Sequence, residues 1–97
     1  MERTIRTDYY YFIYDNDQED MVWYSPSSDN KSTCDRNLLN CIAEARKILR
    51  RNPNADIKVC AHYYDTCGDY EDGCDGSFTV CAGSELDKTE EKIRKVM

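Results

Sequence analysis

One amphipathic stretch decides how this chain folds: CDRNLLNCIAEARKILRR, residues Cys34 to Arg51. Its apolar side chains recur mainly at steps of three and four residues, the period that places them on one face of an α-helix. Ser32 or Thr33 is expected to cap the first turn, and Asn52-Pro53 is expected to end the helix. The sequence therefore predicts one long helix with a single buried stripe. The stripe consists of Cys34, Leu38, Cys41, Ile42, Ala45, Ile48 and Leu49.

Short runs of aromatic and β-branched residues stand on both sides of this helix, a composition that favours strands. Two predicted strands, residues 8–14 and 21–24, precede it, and two more, residues 56–64 and 77–82, follow. A short C-terminal helix is predicted from Ser84. The order β-β-α-β-β-α predicts an α+β fold: a four-stranded, mostly antiparallel sheet, with the long helix packed on one face and the short helix at the end.

Four cysteines suggest a register for the second hairpin. Cys60 and Cys81 lie symmetrically about the same peptide bond as Cys67 and Cys74. An antiparallel pairing with this symmetry places Cys60 opposite Cys81 and leaves one face wholly apolar, whereas a slip by one residue would mix both faces. We expect the helix stripe to cover that apolar face. It would consist of Val59, Ala61, Tyr63, Phe78, Val80 and Ala82.

Length and charge limit the functions that the chain can have. Its 97 residues fit one domain, residues 1–97, and its 19 acidic against 13 basic side chains give a net charge of −6. A protein that binds phosphate backbones needs a dominant basic face, so direct nucleic-acid binding is not expected. No apolar run reaches about 18 residues and no hydrophobic leader is present, so we expect no membrane span, no export and a cytoplasmic location.

Six cysteines and one histidine suggest metal, redox or catalytic chemistry. Structural zinc sites pair cysteines about two to four residues apart, but here the successive spacings are seven residues, apart from one of nineteen. Cys60 and His62 share a strand face, yet no motif supplies an oxyanion hole or an orienting group. We therefore expect no enzyme activity, no cofactor and no metal. The alternative is a small metal- or redox-responsive module whose cysteines are thiols, disulfides or ligands. It would use Cys60, Cys67, Cys74 and Cys81.

Aromatic residues crowd the first predicted hairpin, in which we expect Tyr14 opposite Met21 and Phe12 opposite Trp23. Both faces of this hairpin are apolar, and one helix can cover only one of them. Several tyrosines should therefore stay exposed, and Tyr and Trp are enriched at binding hot spots. A partner protein, a homodimer or the C-terminal helix could cover the remaining face. The aromatic candidates for partner binding are Tyr11 and Tyr24, whichever face is exposed.

Acidic side chains form two blocks, one at the turn of each predicted hairpin, and neither block contains Lys or Arg. Such blocks would steer the protein toward a basic surface. The alternative is that the acids only keep the two turns solvated and bind no partner. The candidates are Asp15, Asp17, Glu19 and Asp20 at the first turn, and Asp65, Asp69, Glu71, Asp72 and Asp75 at the second.

In size, acidity and α+β build, the chain is similar in kind to small phage-encoded inhibitors of bacterial defence, such as anti-CRISPR and anti-restriction proteins. Many of those inhibitors occupy a nucleic-acid site on their target with acidic side chains. The resemblance lies in composition and build, not in a motif. It implies a non-enzymatic nucleic-acid mimic that binds the basic, nucleic-acid-binding surface of a partner protein in the cytoplasm of the host cell.

Overall fold

The computed structural model describes residues 6–66 and 75–97 and confirms the predicted α+β order. One antiparallel sheet, in the order β2-β1-β3-β4, holds the four strands. The elements are β1 (Arg6–Asp15), β2 (Asp20–Tyr24), α1 (Lys31–Arg51), β3 (Ile57–Thr66), β4 (Asp75–Ala82), a 3₁₀ turn (Gly83–Glu85) and α2 (Leu86–Val96). In the described part of the chain, neither helix is both long and apolar enough to cross a membrane.

The long helix α1 begins slightly earlier than predicted because a different residue caps it. Asn30 is the N-cap, and its side-chain oxygen accepts a hydrogen bond from the backbone nitrogen of Thr33 at 3.0 Å. The expected caps, Ser32 and Thr33, thus lie inside the first turn. The end agrees with the prediction, since Asn52 is the C-cap and donates its backbone N–H to Ile48 at 2.9 Å.

The apolar stripe of α1 packs on one face of the sheet, as predicted. Leu49 lies at the end of the stripe and is only partly buried. Phe78 was expected in the core but is 50% exposed, because it lies on the edge strand β4. The second helix also contributes to the core, since Leu86 and Ile93 are buried in the same cluster. That cluster contains Ile13, Leu38, Cys41, Ile42, Ala45, Ile57, Val59, Cys81, Leu86 and Ile93.

A bulge changes the register of the first hairpin. Tyr14 lies opposite Met21, as predicted, but the pairing shifts between Ile13 and Tyr14. Trp23 consequently lies opposite Ile13, and the expected pairing of Phe12 with Trp23 is wrong by one residue. The inserted residue places Met21 and Trp23, two positions apart, on opposite faces of the sheet, which a strict alternation of apolar residues does not predict.

A second bulge makes the predicted register of β3 and β4 wrong. Val59 lies opposite Cys81 and Cys60 opposite Thr79, with the shift between Val59 and Cys60. Phe78 lies opposite Ala61 instead of Tyr63. Because neighbouring residues of a strand point to opposite faces, Cys60 and Cys81 lie on opposite faces of the sheet. The symmetric cysteine spacing is therefore not a sign of cross-strand pairing between them.

Candidate protein-binding surface

The sheet face that points away from α1, called the open face below, is the candidate site. In the described part of the chain both helices pack on the opposite face, where Ile13 and Val59 are fully buried. Side chains adjacent to those two residues in β1 and β3 therefore point to the open face. By the observed pairing, the open face presents Tyr10, Phe12, Tyr14, Met21, Tyr24, Lys58, Cys60, His62, Ser77 and Thr79.

Three neighbouring rings on the open face, those of Tyr10, Phe12 and His62, are in contact with one another through Tyr10. The ring centre of Tyr10 lies 6.0 Å from that of Phe12 and 5.1 Å from that of His62, both at tilted angles. Lys58 places its Nζ 5.4 Å from the ring centre of Tyr14. These separations are typical of favourable aromatic and cation–π contacts, so the rings are preorganised before any partner arrives.

Two shallow grooves run along this surface. The larger has a volume of about 360 Å³, is almost wholly apolar, and is lined by Tyr10, Met21 and residues 24–27. The smaller, about 240 Å³, lies beside Phe12, Tyr14 and Lys58. Tyr24 is 69% exposed and forms one wall of the larger groove. Exposed aromatic walls around an apolar groove are typical of protein-binding sites.

The structure separates the two aromatic candidates. Tyr11 faces α1 and is half-buried against the core, and burial, assisted by the nearby Cys34 and Asp35, raises its pKa to about 12. Tyr24 lies on the open face, so it is the candidate that a partner can reach. Tyr10 and Tyr14 were not among the residues predicted to bind a partner, although both follow from the alternation once Tyr11 is known to be buried.

The acidic turn between β1 and β2 contains one carboxylate that stabilises the turn and three that are exposed to a partner. Asp15 is buried, and its carboxylate accepts hydrogen bonds from the backbone nitrogens of Asp17 and Gln18 at 2.9 and 3.2 Å. Asp17, Glu19 and Asp20 are exposed. Glu19 has a positive φ of 55°, the left-handed conformation that closes the turn. Three of the four predicted acids in this turn are therefore accessible to a partner.

At the opposite end of the sheet the described acids are Asp65 and Asp75. Asp65 is partly buried and accepts a hydrogen bond from the Thr7 hydroxyl at 2.6 Å. Asp75 is exposed, and its carboxylate lies 3.6 Å from Nε2 of His62. The remaining predicted acids and two cysteines lie outside the described residues. They are Asp69, Glu71, Asp72, Cys67 and Cys74.

Charge is distributed unevenly between the helices and the rest of the chain. The segments α1 and α2 together hold ten Lys and Arg but five Asp and Glu. All other segments hold three Lys and Arg and fourteen Asp and Glu. Because the helices lie behind the sheet, the Lys and Arg side chains of the helices are kept away from the open face, whereas Lys58 lies on it. This separation gives the sheet and its turns a negative potential.

His62 is held in place on the open face by polar neighbours. Its Nδ1 is joined to Oγ of Ser77 at 2.7 Å, and Asp75 lies beyond hydrogen-bond distance of Nε2 at 3.6 Å. Cys60 shares a strand face with this histidine, but the observed register brings Ser77 to the ring. A serine, a histidine and a carboxylate are the components of a hydrolase triad, yet here the carboxylate is too distant to orient the ring firmly.

The four described cysteines are buried free thiols. Burial raises the pKa of each of them, and it raises that of Cys41 to about 12. The thiolate is the form that attacks disulfides and binds metals, so burial suppresses both reactions at these positions. Residues 6–66 and 75–97 bring together no group of three or more His, Cys, Asp or Glu that could hold a metal ion.

The open face, its grooves and the exposed acids beside it are thus the features of this fold that are suited to binding a partner. Comparison with protein-family models, with curated proteins and with solved structures finds no match to the chain.

Proposed function

We propose that this protein is a non-enzymatic binding protein that inhibits a nucleic-acid-processing partner by occupying the partner's basic surface. The observation that carries the proposal is the open face: an aromatic sheet surface on which neither helix packs, next to exposed acids and with most of the Lys and Arg on the helices behind it. Aromatic anchors that become buried supply most of the binding free energy at such interfaces.

The dimensions of the open face agree with a binding role that includes the acidic turns. Ten-residue strands such as β1 and β3 extend about 33 Å, and four strands span about 15 Å, so the face covers about 500 Å². A stable interface buries about 800 Å² on each partner. The turn with Asp17, Glu19 and Asp20 adjoins the face and would complete the contact area.

The acidic residues suggest the chemistry of the partner. A surface that binds phosphate groups presents Lys and Arg, and a carboxylate array opposite them replaces the phosphates. The resemblance in build to anti-CRISPR and anti-restriction inhibitors supports the choice of a nucleic-acid-processing partner. A phage origin and a location in the cytoplasm of the host cell belong to the same proposal.

The proposal is tested by capturing the partner and then measuring inhibition. Immobilised wild-type protein is exposed to host extract, and captured proteins are identified by mass spectrometry. The purified partner is then titrated while its affinity for nucleic acid is measured. We expect nucleic-acid binding to be lost at about one equivalent of inhibitor, and Tyr24→Ala to require a higher concentration.

The matched control is Asn40→Ala, an exposed residue of α1 on the far side of the molecule from the open face. It should inhibit like the wild type. The proposal is contradicted if the partner still binds nucleic acid when saturated with the protein, or if Tyr24→Ala and Asn40→Ala inhibit equally. A stable homodimer that dissociates in the Tyr24→Ala variant would also contradict it, because a second copy would then cover the open face.

A further inference from the structure

We propose that the larger groove on the open face, lined by Tyr10, Met21, Tyr24 and Pro26, receives an arginine side chain of the partner. This inference rests on the proposed function, since it names the group on the basic surface that the protein recognises. Three observations support it: a cation already bound to a ring on the same face, the apolar lining of the groove, and the charge around it.

The first observation is the contact between Lys58 and Tyr14. The protein places its own ammonium group 5.4 Å from the ring centre of Tyr14 on the open face. Tyr24 lies on the same face, and its exposed ring contacts no cation and no other ring within the described residues. The ring of Tyr14 therefore already has a cation of the same chain over it, whereas the ring of Tyr24 is available to a cation from a partner.

The second observation is the lining of the groove. Its walls are the rings of Tyr10 and Tyr24, the thioether of Met21 and the ring of Pro26. The polar atom of Ser25 is used within the chain, because its Oγ accepts from the backbone of Tyr11 and donates to the carbonyl of Pro26, each at 2.9 Å. A volume of about 360 Å³ with few unused polar atoms suits a flat, weakly hydrated group.

The third observation is the charge beside the groove. Met21, which lines the groove, lies next to the turn between β1 and β2, in which Asp17 and Glu19 are exposed. Asp20 pairs with Asp15 and therefore points to the helix side of the sheet. A neutral side chain would gain nothing from these carboxylates, whereas a cation is attracted by them. Among cations, guanidinium stacks on aromatic rings and loses less hydration than ammonium when it enters an apolar groove. Arginine therefore fits the groove better than lysine.

The experiment compares capped peptides of equal charge in which arginine is replaced by lysine, titrated into the intact protein at one ionic strength. Dissociation constants are measured by nuclear magnetic resonance, with the ε-methyl signal of Met21 as the local probe. We expect the arginine peptide to bind about three-fold tighter or more, and to shift the Met21 signal. Tyr24→Phe should keep the preference because it keeps the ring, and Tyr24→Leu should lose it.

Equal binding of the two peptides would overturn the inference, as would a preference for arginine that persists in Tyr24→Leu. Tighter binding of a neutral tryptophan peptide would also overturn it, because the groove would then hold an aromatic anchor. These outcomes are independent of the proposed function. A protein that inhibits its partner without an arginine preference refutes the inference alone, and an arginine preference without inhibition refutes the proposed function.

Discussion

Arg46 of α1 and Glu90 of α2 form a side-chain ion pair that joins the two helices. The same glutamate accepts a hydrogen bond from Arg94 at 2.7 Å, and the same arginine donates to Asp87 at 2.7 Å. The sequence does not reveal this cluster, because Arg46 and its partners on α2 are more than forty positions apart in the chain. The cluster adds a polar link between the two helices to the buried contacts of Leu86 and Ile93.

The first prediction concerns the pH dependence of this link. The hydrogen bond from Arg94, and then that from Arg46, lowers the pKa of Glu90 in the folded protein. The ionised carboxylate therefore stabilises the fold above the pKa of an unfolded glutamate, about 4.3, and this contribution is lost as the pH falls through the lower, folded value. Glu90→Gln should cost about 1 kcal/mol at pH 7 and less at pH 3, as measured by thermal unfolding.

Glu91→Gln is the matched control for Glu90→Gln. Glu91 is exposed, and its nearest cation is the Nζ of Lys95 at 3.9 Å, so its substitution should leave the pH profile unchanged. Identical pH profiles for Glu90→Gln and the wild type would show that the cluster does not stabilise the packing of α2.

The second prediction concerns the buried stripe of α1. Ile42 is fully buried, and Ile42→Ala should lower the free energy of unfolding by about 2–5 kcal/mol through lost burial and the cavity that remains. Leu49→Ala should cost less, because Leu49 is only partly buried at the end of the stripe. Denaturant unfolding of both variants measures the difference. An equal loss in the two variants would contradict the observed packing.

The third prediction concerns thiol reactivity. With a pKa of about 12, Cys41 is ionised at pH 8 in about one molecule in ten thousand. Alkylation of the native protein at pH 8 should therefore be slow at Cys41, and it should become fast in denaturant. Peptide mapping by mass spectrometry reads each site separately. Rapid native labelling of Cys41 would mean that the interior opens readily.

The elements could be predicted from the sequence, but the register could not. The period of the stripe around Leu38 and Ile42 identifies α1, and aromatic and β-branched runs identify the strands. Neither signal detects a bulge, because an inserted residue changes the pairing partner without changing composition. The predicted pairing of Cys60 with Cys81 was wrong for this reason.

The open face could not be assigned from the sequence for a different reason. Tyr9, Tyr10 and Tyr11 are identical residues on alternating faces, so the pattern predicts a strand without telling which face is buried. The helix packing decides it, since Tyr11 contacts the core and Tyr10 lines the larger groove. The contact between His62 and Ser77 likewise depends on the register that the bulge sets.

The fourth prediction separates binding from structural carboxylates in the turn between β1 and β2. Neutralising Asp17, Glu19 and Asp20 together should slow association with the partner and weaken its salt dependence, because exposed charges act over about 8 Å at physiological salt. Stability should hardly change. Association rates measured at two salt concentrations, beside a thermal melt, test both expectations. An association rate equal to that of the wild type would contradict the role of these acids in binding.

Asp15→Asn is the contrasting variant in the same turn. Its carboxylate accepts two backbone hydrogen bonds and one from the Gln18 side chain at 3.0 Å, so its substitution should cost about 1–3 kcal/mol of stability. If neutralising Asp17, Glu19 and Asp20 together lowers the melting temperature as much as Asp15→Asn does, the carboxylates of the whole turn stabilise the fold. The same kinetic test applied to Asp69, Glu71 and Asp72, which lie outside the described residues, remains the prediction for the second acidic block.

The last prediction contrasts two tyrosines on opposite faces of the first hairpin. Tyr24→Ala removes an exposed wall of the larger groove, so it should leave stability nearly unchanged and speed dissociation of the partner about ten-fold. Tyr11→Ala should do the reverse. Its half-buried ring packs against the core beneath α1, so truncation should cost about 2 kcal/mol or more, with little effect on dissociation of the molecules that remain folded. Dissociation rates and denaturant midpoints of both variants test which face of the hairpin binds the partner. If Tyr11→Ala speeds dissociation as much as Tyr24→Ala does, the partner does not bind the open face.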